Sequence, residues 1–166
     1  MIVVADTTPI HYLVLLRHAD ILQALYGQVI IPEAVFHELQ APATPATVKE
    51  WVASRPDWLE VQHVLVPQDL ILTVLDPGEC EAIALAEALR ADALIVDDRA
   101  ARREAERRRL RVIGTLRVLD DAAAAGLVNL PEALQRLQAA GFYLDAPLAQ
   151  FLLSRHFTRT GGKLAP

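Results

Sequence analysis

Two short apolar runs of this chain each end in aspartate. Residues 2–5 (Ile-Val-Val-Ala) are followed by Asp6. Residues 93–96 (Ala-Leu-Ile-Val) are followed by Asp97 and Asp98. Runs that are this short, entirely apolar and rich in β-branched residues are typical of strands buried on both faces of a parallel sheet. Because ligands of such folds bind beyond the carboxyl ends of the strands, we expect these aspartates at a ligand-binding edge.

The composition favours a single soluble domain. The chain has 166 residues, of which 53% are hydrophobic, enough to form a full-sized core. No apolar run approaches the roughly 18 residues that would span a membrane. Met1 leads directly into the first predicted strand, so we expect no signal peptide and a cytoplasmic protein. Cys80 is the only cysteine, which excludes intrachain disulfides and argues against a cysteine-based zinc site.

The basic residues are concentrated in one segment of an otherwise acidic chain. Residues 99–117 contain eight arginines and two glutamates, although the whole chain carries a net charge of −5. Such asymmetry can mark a surface for nucleic acid or for an acidic partner. The alternative is a solvated helix face with no binding role.

Strands and helices alternate along the predicted chain. Further strands are predicted at 29–31, 59–64 and 112–113. Helices are predicted over about 9–17, 20–25, 79–89 and 99–109, and two more helices are predicted, one that starts at Pro32 and one that passes through Trp51. Thr8 and Pro9 fit the N-cap and first position of the first helix. From Thr115 onward the pattern is helical, and residues 158–166 are expected to be a frayed tail. This order indicates a three-layer α/β domain.

The acidic residues at the predicted strand and helix ends form a candidate site. They are Asp6, Glu38, Glu79, Asp97 and Asp98. Carboxylates without histidine or cysteine suit hard cations such as Mg²⁺ or Mn²⁺, and Mg²⁺ needs only one or two of them directly. Structural interpretations also exist: Asp6 could bond the following turn, Glu79 could favour its helix dipole, and Asp98 could cap the arginine-rich helix.

Four motifs follow one another in a specific order. They are residues 4–10 (VADTTPI), 29–35 (VIIPEAV) with 38–39 (EL), 76–86 (DPGECEAIALA), and 94–99 (LIVDDR) with 112–115 (VIGT). In this order they resemble the PIN-domain superfamily of Mg²⁺/Mn²⁺-dependent nucleases, which includes VapC-type toxins, and more narrowly its PIN-like subgroup DUF3368. The resemblance covers about residues 1–125, and the helices over 126–157 resemble the C-terminal extension of the family.

The resemblance implies a fold and an activity. The fold is an α/β/α PIN-like domain over residues 1–157, with a central parallel sheet and extra C-terminal helices. The implied activity is metal-dependent hydrolysis of single-stranded RNA, by the toxin of a toxin–antitoxin pair. The implied partners are a small antitoxin protein and a second copy of the chain in a homodimer, with no membrane.

The resemblance also implies roles for residues. The implied catalytic residues are Asp6, Glu38, Glu79 and one or both of Asp97 and Asp98, and the implied metal ligands are Asp6, Glu79, Asp97 and Asp98. Thr8 matches a position where the family carries a serine or threonine that supports the site, and we expect it to help bind substrate. The basic segment independently predicts Arg99, Arg102 and Arg103 as further substrate-binding residues. The arginines would contact RNA phosphates without reading sequence. Glu81 remains an alternative to Glu79, and the choice between Asp97 and Asp98 remains open.

The main alternative is a catalytically silent PIN-like module that binds nucleic acid or protein. An active site would keep its carboxylates converging on open space, whereas a silent one would fill that space or pair the acids with arginine. Two other nucleotide-binding sites are excluded by the sequence, because it contains neither a GxxxxGK[ST] loop nor a GxGxxG fingerprint.

Overall fold

The computed structural model of the protein describes residues 1–71 and 73–161. In this part of the chain, five parallel strands form one sheet in the order β3-β2-β1-β4-β5. The strands are β1 (Val3–Ala5), β2 (Val29–Pro32), β3 (Leu59–Gln62), β4 (Ala93–Ile95) and β5 (Val112–Ile113). Strand β1 is central, since Val3 lies opposite Val29 of β2 on one side and Ala93 of β4 on the other.

The helices connect the strands and continue beyond them. They are α1 (Thr7–Leu15), α2 (Ile21–Tyr26), α3 (Glu33–Glu38), α4 (Ala46–Ala53), α5 (Gln68–Ile71), α6 (Pro77–Leu89), α7 (Arg99–Arg107), α8 (Thr115–Ala124), α9 (Leu130–Ala139) and α10 (Ala146–Arg159). Among the described residues, none of the helices combines the length and apolar character needed to cross a bilayer.

Both faces of the sheet are covered, as the short apolar runs predicted. Val3 and Ala5 of β1 lie in one core cluster, and Val4 between them lies in the other. The first cluster takes side chains from α1, α2, α8 and α9, and the second from α6 and α7. Successive side chains of a strand point to opposite faces, so the alternation confirms the predicted three-layer arrangement.

Some local predictions differ from the structure. The N-cap of α1 is Asp6 and the helix begins at Thr7, so the prediction that Thr8 is the N-cap is wrong. The backbone of Asp6 is still extended, with φ −85° and ψ 174°, and the helix can start as soon as the strand ends. Helix α5 was not predicted, because its four residues are too few to show a helical period.

The last helix runs two residues beyond its predicted end at 157. Helix α10 continues to Arg159, so residues 158 and 159 are helical and not part of a frayed tail. The rest of the predicted tail, from residue 162 onward, lies outside the described residues.

A buried acid attaches α10 to α8. The side chain of Asp120 in α8 is 1% exposed, and it accepts hydrogen bonds from Arg159 at 3.3 and 2.7 Å. Arg155 Nη2 lies 3.3 Å from the same carboxylate. Because a buried carboxylate that loses its partners is destabilising, this arrangement holds the C-terminal helix in one position.

We expect Arg159→Ala to lower the free energy of unfolding by about 1–3 kcal/mol, because it leaves the buried carboxylate of Asp120 with fewer donors. The matched control is Arg117→Ala, which removes an arginine paired with the partly exposed Asp121 of the same helix. The control is expected to lose less than about 1 kcal/mol. Urea unfolding measures both values, and equal losses would contradict the role given to Asp120.

Candidate active site

The sheet order brings acidic residues to one edge. Strands β2, β1 and β4 are neighbours, and their carboxyl ends lie on the same side because they are parallel. Asp6 follows β1, Glu38 ends the helix after β2, and Asp97 and Asp98 follow β4. The amide of Asp6 donates to the carbonyl of Ile95 at 2.9 Å, which fixes the end of β1 against β4.

Asp6 is a buried carboxylate at the centre of this edge. Its side chain is 3% exposed, and in the described part of the chain its Oδ1 atom has no hydrogen-bond partner. The pKa of Asp6 is raised from about 3.8 to about 8, chiefly by burial and in addition by the neighbouring Asp76, Glu79 and Glu38. A buried carboxylate with a free oxygen and acidic neighbours is a favourable ligand for a cation.

Glu38 is held in place by the starts of two helices. Its carboxylate accepts hydrogen bonds from the Thr7 hydroxyl and from the Gly78 amide, the latter at 2.9 Å. Burial is the main cause that raises the pKa of Glu38. A Cβ at Gly78 would lie 2.6 Å from Glu38 Oε1 and 2.7 Å from its Cδ, so only glycine lets this carboxylate approach so closely.

Of the two candidate glutamates in α6, Glu79 interacts electrostatically with more of the other acids. Burial raises its pKa to about 7, with further contributions from Asp76, Asp98 and Glu38. The carboxylate of Glu81 instead accepts the Ala34 amide at 2.8 Å, which joins α6 to the start of α3. The geometry therefore favours Glu79 as the site residue and gives Glu81 a structural contact, although Glu81 also raises the pKa of Glu38.

Asp97 and Asp98 have different surroundings. Asp98 caps α7 by accepting the Ala101 amide at 3.0 Å, and it also lies near enough to Glu79 to raise the pKa of that residue. Asp97 accepts hydrogen bonds from the amide and hydroxyl of Thr115 at 2.8 and 2.6 Å. Burial raises the pKa of Asp97, and the nearby Arg102 lowers it. Asp98 thus faces the acids and Asp97 lies to one side.

Asp76 is an acidic neighbour that the sequence analysis treated as part of a turn. It is the N-cap of α6, and its side chain accepts the Glu79 amide at 2.8 Å while Glu79 accepts the Asp76 amide at 3.1 Å. This reciprocal pair is a capping box, and the D-x-x-E spacing before the apolar helix was its signal. Asp76 also raises the pKa of Asp6 and of Glu38.

In the described part of the chain, no basic side chain pairs with the carboxylates at this edge of the sheet. We call this cluster the acidic edge and define it by Asp6, Glu38, Asp76, Glu79 and Asp98. None of the five forms a salt bridge with another described residue; the ion pairs of the structure involve other acids. Concentrated, poorly hydrated carboxylates of this kind are stabilised by a cation. Their oxygen chemistry fits Mg²⁺ or Mn²⁺.

The geometry limits the kind of metal site that fits. In residues 1–71 and 73–161, no three His, Cys, Asp or Glu side chains are arranged to hold one ion together. The predicted set of Asp6, Glu79, Asp97 and Asp98 is therefore not assembled as one cage, and Asp97 is bound to Thr115 instead. A water-rich Mg²⁺ needs only one or two carboxylates, and Asp6 with Glu79 fits that requirement.

The predicted substrate-binding residues are spread over several surfaces. Arg99 and Arg102 line a cavity of about 480 Å³ together with Asp97. Arg103 is exposed and lines a different cavity beside Val74. Thr8 lies in the first turn of α1, where the neighbouring Thr7 supplies the contact to Glu38. Sequence analysis missed Thr7, because adjacent threonines cannot be distinguished before the start of the helix is known.

We expect Gly78→Ala to displace Glu38 and to lower the stability of the protein, because the new methyl group would overlap the carboxylate. The displaced carboxylate would lose its hydrogen bonds to the Thr7 hydroxyl and the Gly78 amide, and leaving such partly buried groups unpaired typically costs about 1–3 kcal/mol. The double variant Gly78→Ala with Glu38→Asp shortens the acid by one methylene group and should recover part of the loss. Chemical denaturation of the single and double variants gives the coupling, and simple additivity would contradict the close approach.

We expect the stability of the metal-free protein to fall as pH rises from about 4 to 8. Over that window the folded state keeps the proton on Asp6 while the unfolded chain has lost it, because the folded pKa is about 8 and the ordinary value is 3.8. Asp6→Asn removes this contribution and should raise the melting temperature at pH 8 by about 2–4 °C for each 1 kcal/mol gained.

The matched control for this measurement is Asp57→Asn. Asp57 is exposed and lies before β3, at the opposite end of the sheet. Melting curves of the metal-free proteins between these pH values should give parallel profiles for wild type and the control. A profile of Asp6→Asn that also runs parallel to wild type would contradict the raised pKa.

Comparison with known proteins agrees with this geometry. Residues 2–157 match the family model DUF3368, described as a PIN domain. No curated protein matches the chain. The matched range includes every residue of the acidic edge and the whole parallel sheet. PIN domains are a nuclease-type superfamily, and this chain belongs to its DUF3368 family.

Proposed function

We propose that the protein is a metal-dependent ribonuclease that hydrolyses phosphodiester bonds in single-stranded RNA. The observation that carries this proposal is Asp6, a buried carboxylate with an unpartnered oxygen, surrounded by carboxylates that form no salt bridge among the described residues. A fold stabilised for binding alone would gain from pairing these acids. Leaving them unpaired is destabilising, and the binding of a cation offsets that cost.

The proposed cofactor is Mg²⁺ or Mn²⁺, which would lower the pKa of a water molecule and stabilise the charge that develops on phosphate oxygens. Asp6 and Glu79 are the residues that would hold it. Glu38 is oriented by Thr7 and Gly78, and Asp98 by the first turn of α7. Held in this way, these two acids can orient water molecules beside the metal ion.

A catalytically silent module is the competing proposal. It would require the acids to be paired with arginine or their space to be filled. Arg102 is among the causes that lower the pKa of Asp97, whereas the charges that raise the pKa of Asp6, Glu38 and Glu79 are those of carboxylates. The arginine expected in a silent module is therefore found beside Asp97 and not at the acidic edge. The unpaired acidic edge favours the nuclease.

The biological setting is a further part of the proposal. We infer that the protein acts in the cytoplasm as the toxin of a toxin–antitoxin pair, as a homodimer that a small antitoxin protein inhibits. The support for this setting is the resemblance of the motifs to VapC-type toxins and membership of a PIN-domain family.

We expect the purified protein to cleave single-stranded RNA in the presence of Mn²⁺ or Mg²⁺ and to lose this activity in EDTA. Asp6→Asn should lower the cleavage rate by more than about 100-fold, which exceeds the usual loss for residues that only support a metal ligand. Gel analysis of a labelled RNA panel measures the rates.

Asp57→Asn is again the control, because it removes the same charge at the opposite end of the sheet. It should cleave at the wild-type rate. Cleavage that is insensitive to EDTA, or equal rates for Asp6→Asn and wild type, would reject the proposed site. The absence of cleavage across the whole panel would favour the silent module.

A further inference from the structure

A groove lies beside the acidic edge, between the core of the domain and its C-terminal helices. It has a volume of about 480 Å³ and extends from the end of β4 across β5 and α8 to α10. Its walls include Asp97, Arg99, Arg102, Tyr143 and Arg155. We call this cavity the C-terminal groove. One of its ends is formed by Asp97, which is adjacent in the chain to Asp98 of the acidic edge, so the groove starts next to the proposed site.

Tyr143 gives the groove an exposed aromatic surface. It lies in the connection between α9 and α10, and 85% of its surface is accessible. The preceding Phe142 packs edge-to-face against Tyr12 of α1, with ring centroids 5.2 Å apart. The connection is therefore anchored to the core while the tyrosine ring stays accessible. An accessible aromatic ring on an anchored segment is suited to stacking against a nucleic-acid base.

Two arginines of the groove, Arg99 and Arg102, keep donors for phosphate, although Arg102 Nη1 also donates to the Val96 carbonyl at 3.5 Å. In the described part of the chain, neither Arg99 nor Arg102 forms a salt bridge. Arg155 lies over the ring of Phe151, with 5.7 Å from Cζ to the ring centroid, and its side chain is 48% exposed. Guanidinium groups bind phosphate through two parallel hydrogen bonds and also stack on planar groups.

The acids of the groove are engaged with the protein itself. Asp120 is buried and receives Arg155 and Arg159. Asp145 caps α10 by accepting the Leu148 amide at 3.1 Å, and Asp97 accepts two hydrogen bonds from Thr115. Asp120 is thus paired by two arginines, whereas none of the described acids forms a salt bridge with Arg99 or Arg102.

We propose that the C-terminal groove binds the strand of single-stranded RNA on one side of the bond to be cleaved. Arg99 and Arg102 contact phosphates next to the acidic edge, and a base stacks on Tyr143. This inference rests on the proposed ribonuclease function. A duplex keeps its bases stacked on one another, so the groove selects single strands. An acidic protein segment is a weaker candidate, because it would leave Tyr143 without a stacking partner.

The test is the binding of a fluorescently labelled single-stranded RNA of mixed sequence in EDTA, followed by anisotropy. Under these conditions metal-dependent cleavage is stopped and binding is measured alone. We expect Tyr143→Ala to weaken binding about 5- to 100-fold, the range for loss of one base–aromatic stack. Tyr143→Phe keeps the ring and should bind like wild type. A duplex of the same sequence should bind more weakly than the single strand.

Arginine variants separate the groove from general charge. Arg99→Ala, in the groove, should weaken binding and reduce its salt dependence. The matched control is Arg111→Ala, which lies just before β5 at the opposite end of the sheet, and it should change the affinity much less. Both arginines are exposed, so neither substitution disturbs the core.

The outcomes distinguish the groove from the nuclease proposal. The wild type could bind RNA, and Tyr143→Ala and Arg99→Ala could weaken that binding, while no cleavage follows when metal is added. This result would support the groove and reject the nuclease. Cleavage by wild type with unchanged binding of both variants would reject the groove alone. No RNA binding by wild type would also overturn the groove. A labelled acidic peptide could bind the wild type more tightly than RNA does and bind both variants more weakly than the wild type. This result would assign the groove to a protein partner.

Discussion

The burial of Asp6 at the end of the central strand is the constraint on which the rest of the site depends. Strand β1 is paired on both sides, and the amide of Asp6 bonds to Ile95 of β4, so this carboxylate cannot move out to solvent without breaking the sheet. Its pKa of about 8 reflects that confinement. The protein thus keeps an unfavourable group in its most rigid part. A binding site that carries such strain is typically maintained for function rather than stability.

The neighbours of Asp6 show how carboxylates at one edge take different roles. Glu38 is fixed by Thr7 and Gly78, while Glu81, two residues after Glu79, joins α6 to α3 through the Ala34 amide. The contact of Glu81 holds α6 against the helix that carries Glu38. A structural carboxylate and a site carboxylate on the same helix therefore support one another, because the first sets the position of the elements that present the second.

The C-terminal helices contribute both to stability and to the proposed substrate path. Asp120 joins α8 to α10 through Arg155 and Arg159, and the connection before α10 carries Tyr143. The ion pairs thus keep the tyrosine on the same side of the domain as Arg99 and Arg102. In this arrangement the extension beyond the parallel sheet completes a groove that the sheet and α7 alone would leave open.

The sequence by itself determined the class of fold and most of the acidic edge. Short, β-branched apolar runs are typical of strands inside a parallel sheet, and this pattern predicted the strands at Val3–Ala5 and Ala93–Ile95 and the position of Asp6. Tertiary structure decided which of several similar residues contact one another. Glu79 or Glu81, Asp97 or Asp98, and Thr7 or Thr8 have the same chemistry, and only the position of each helix start selects between them. The capping role of Asp76 had a local signal, but its effect on Asp6 and the contact of Gly78 with Glu38 depend on residues distant in sequence, since packing between elements is not encoded in local spacing.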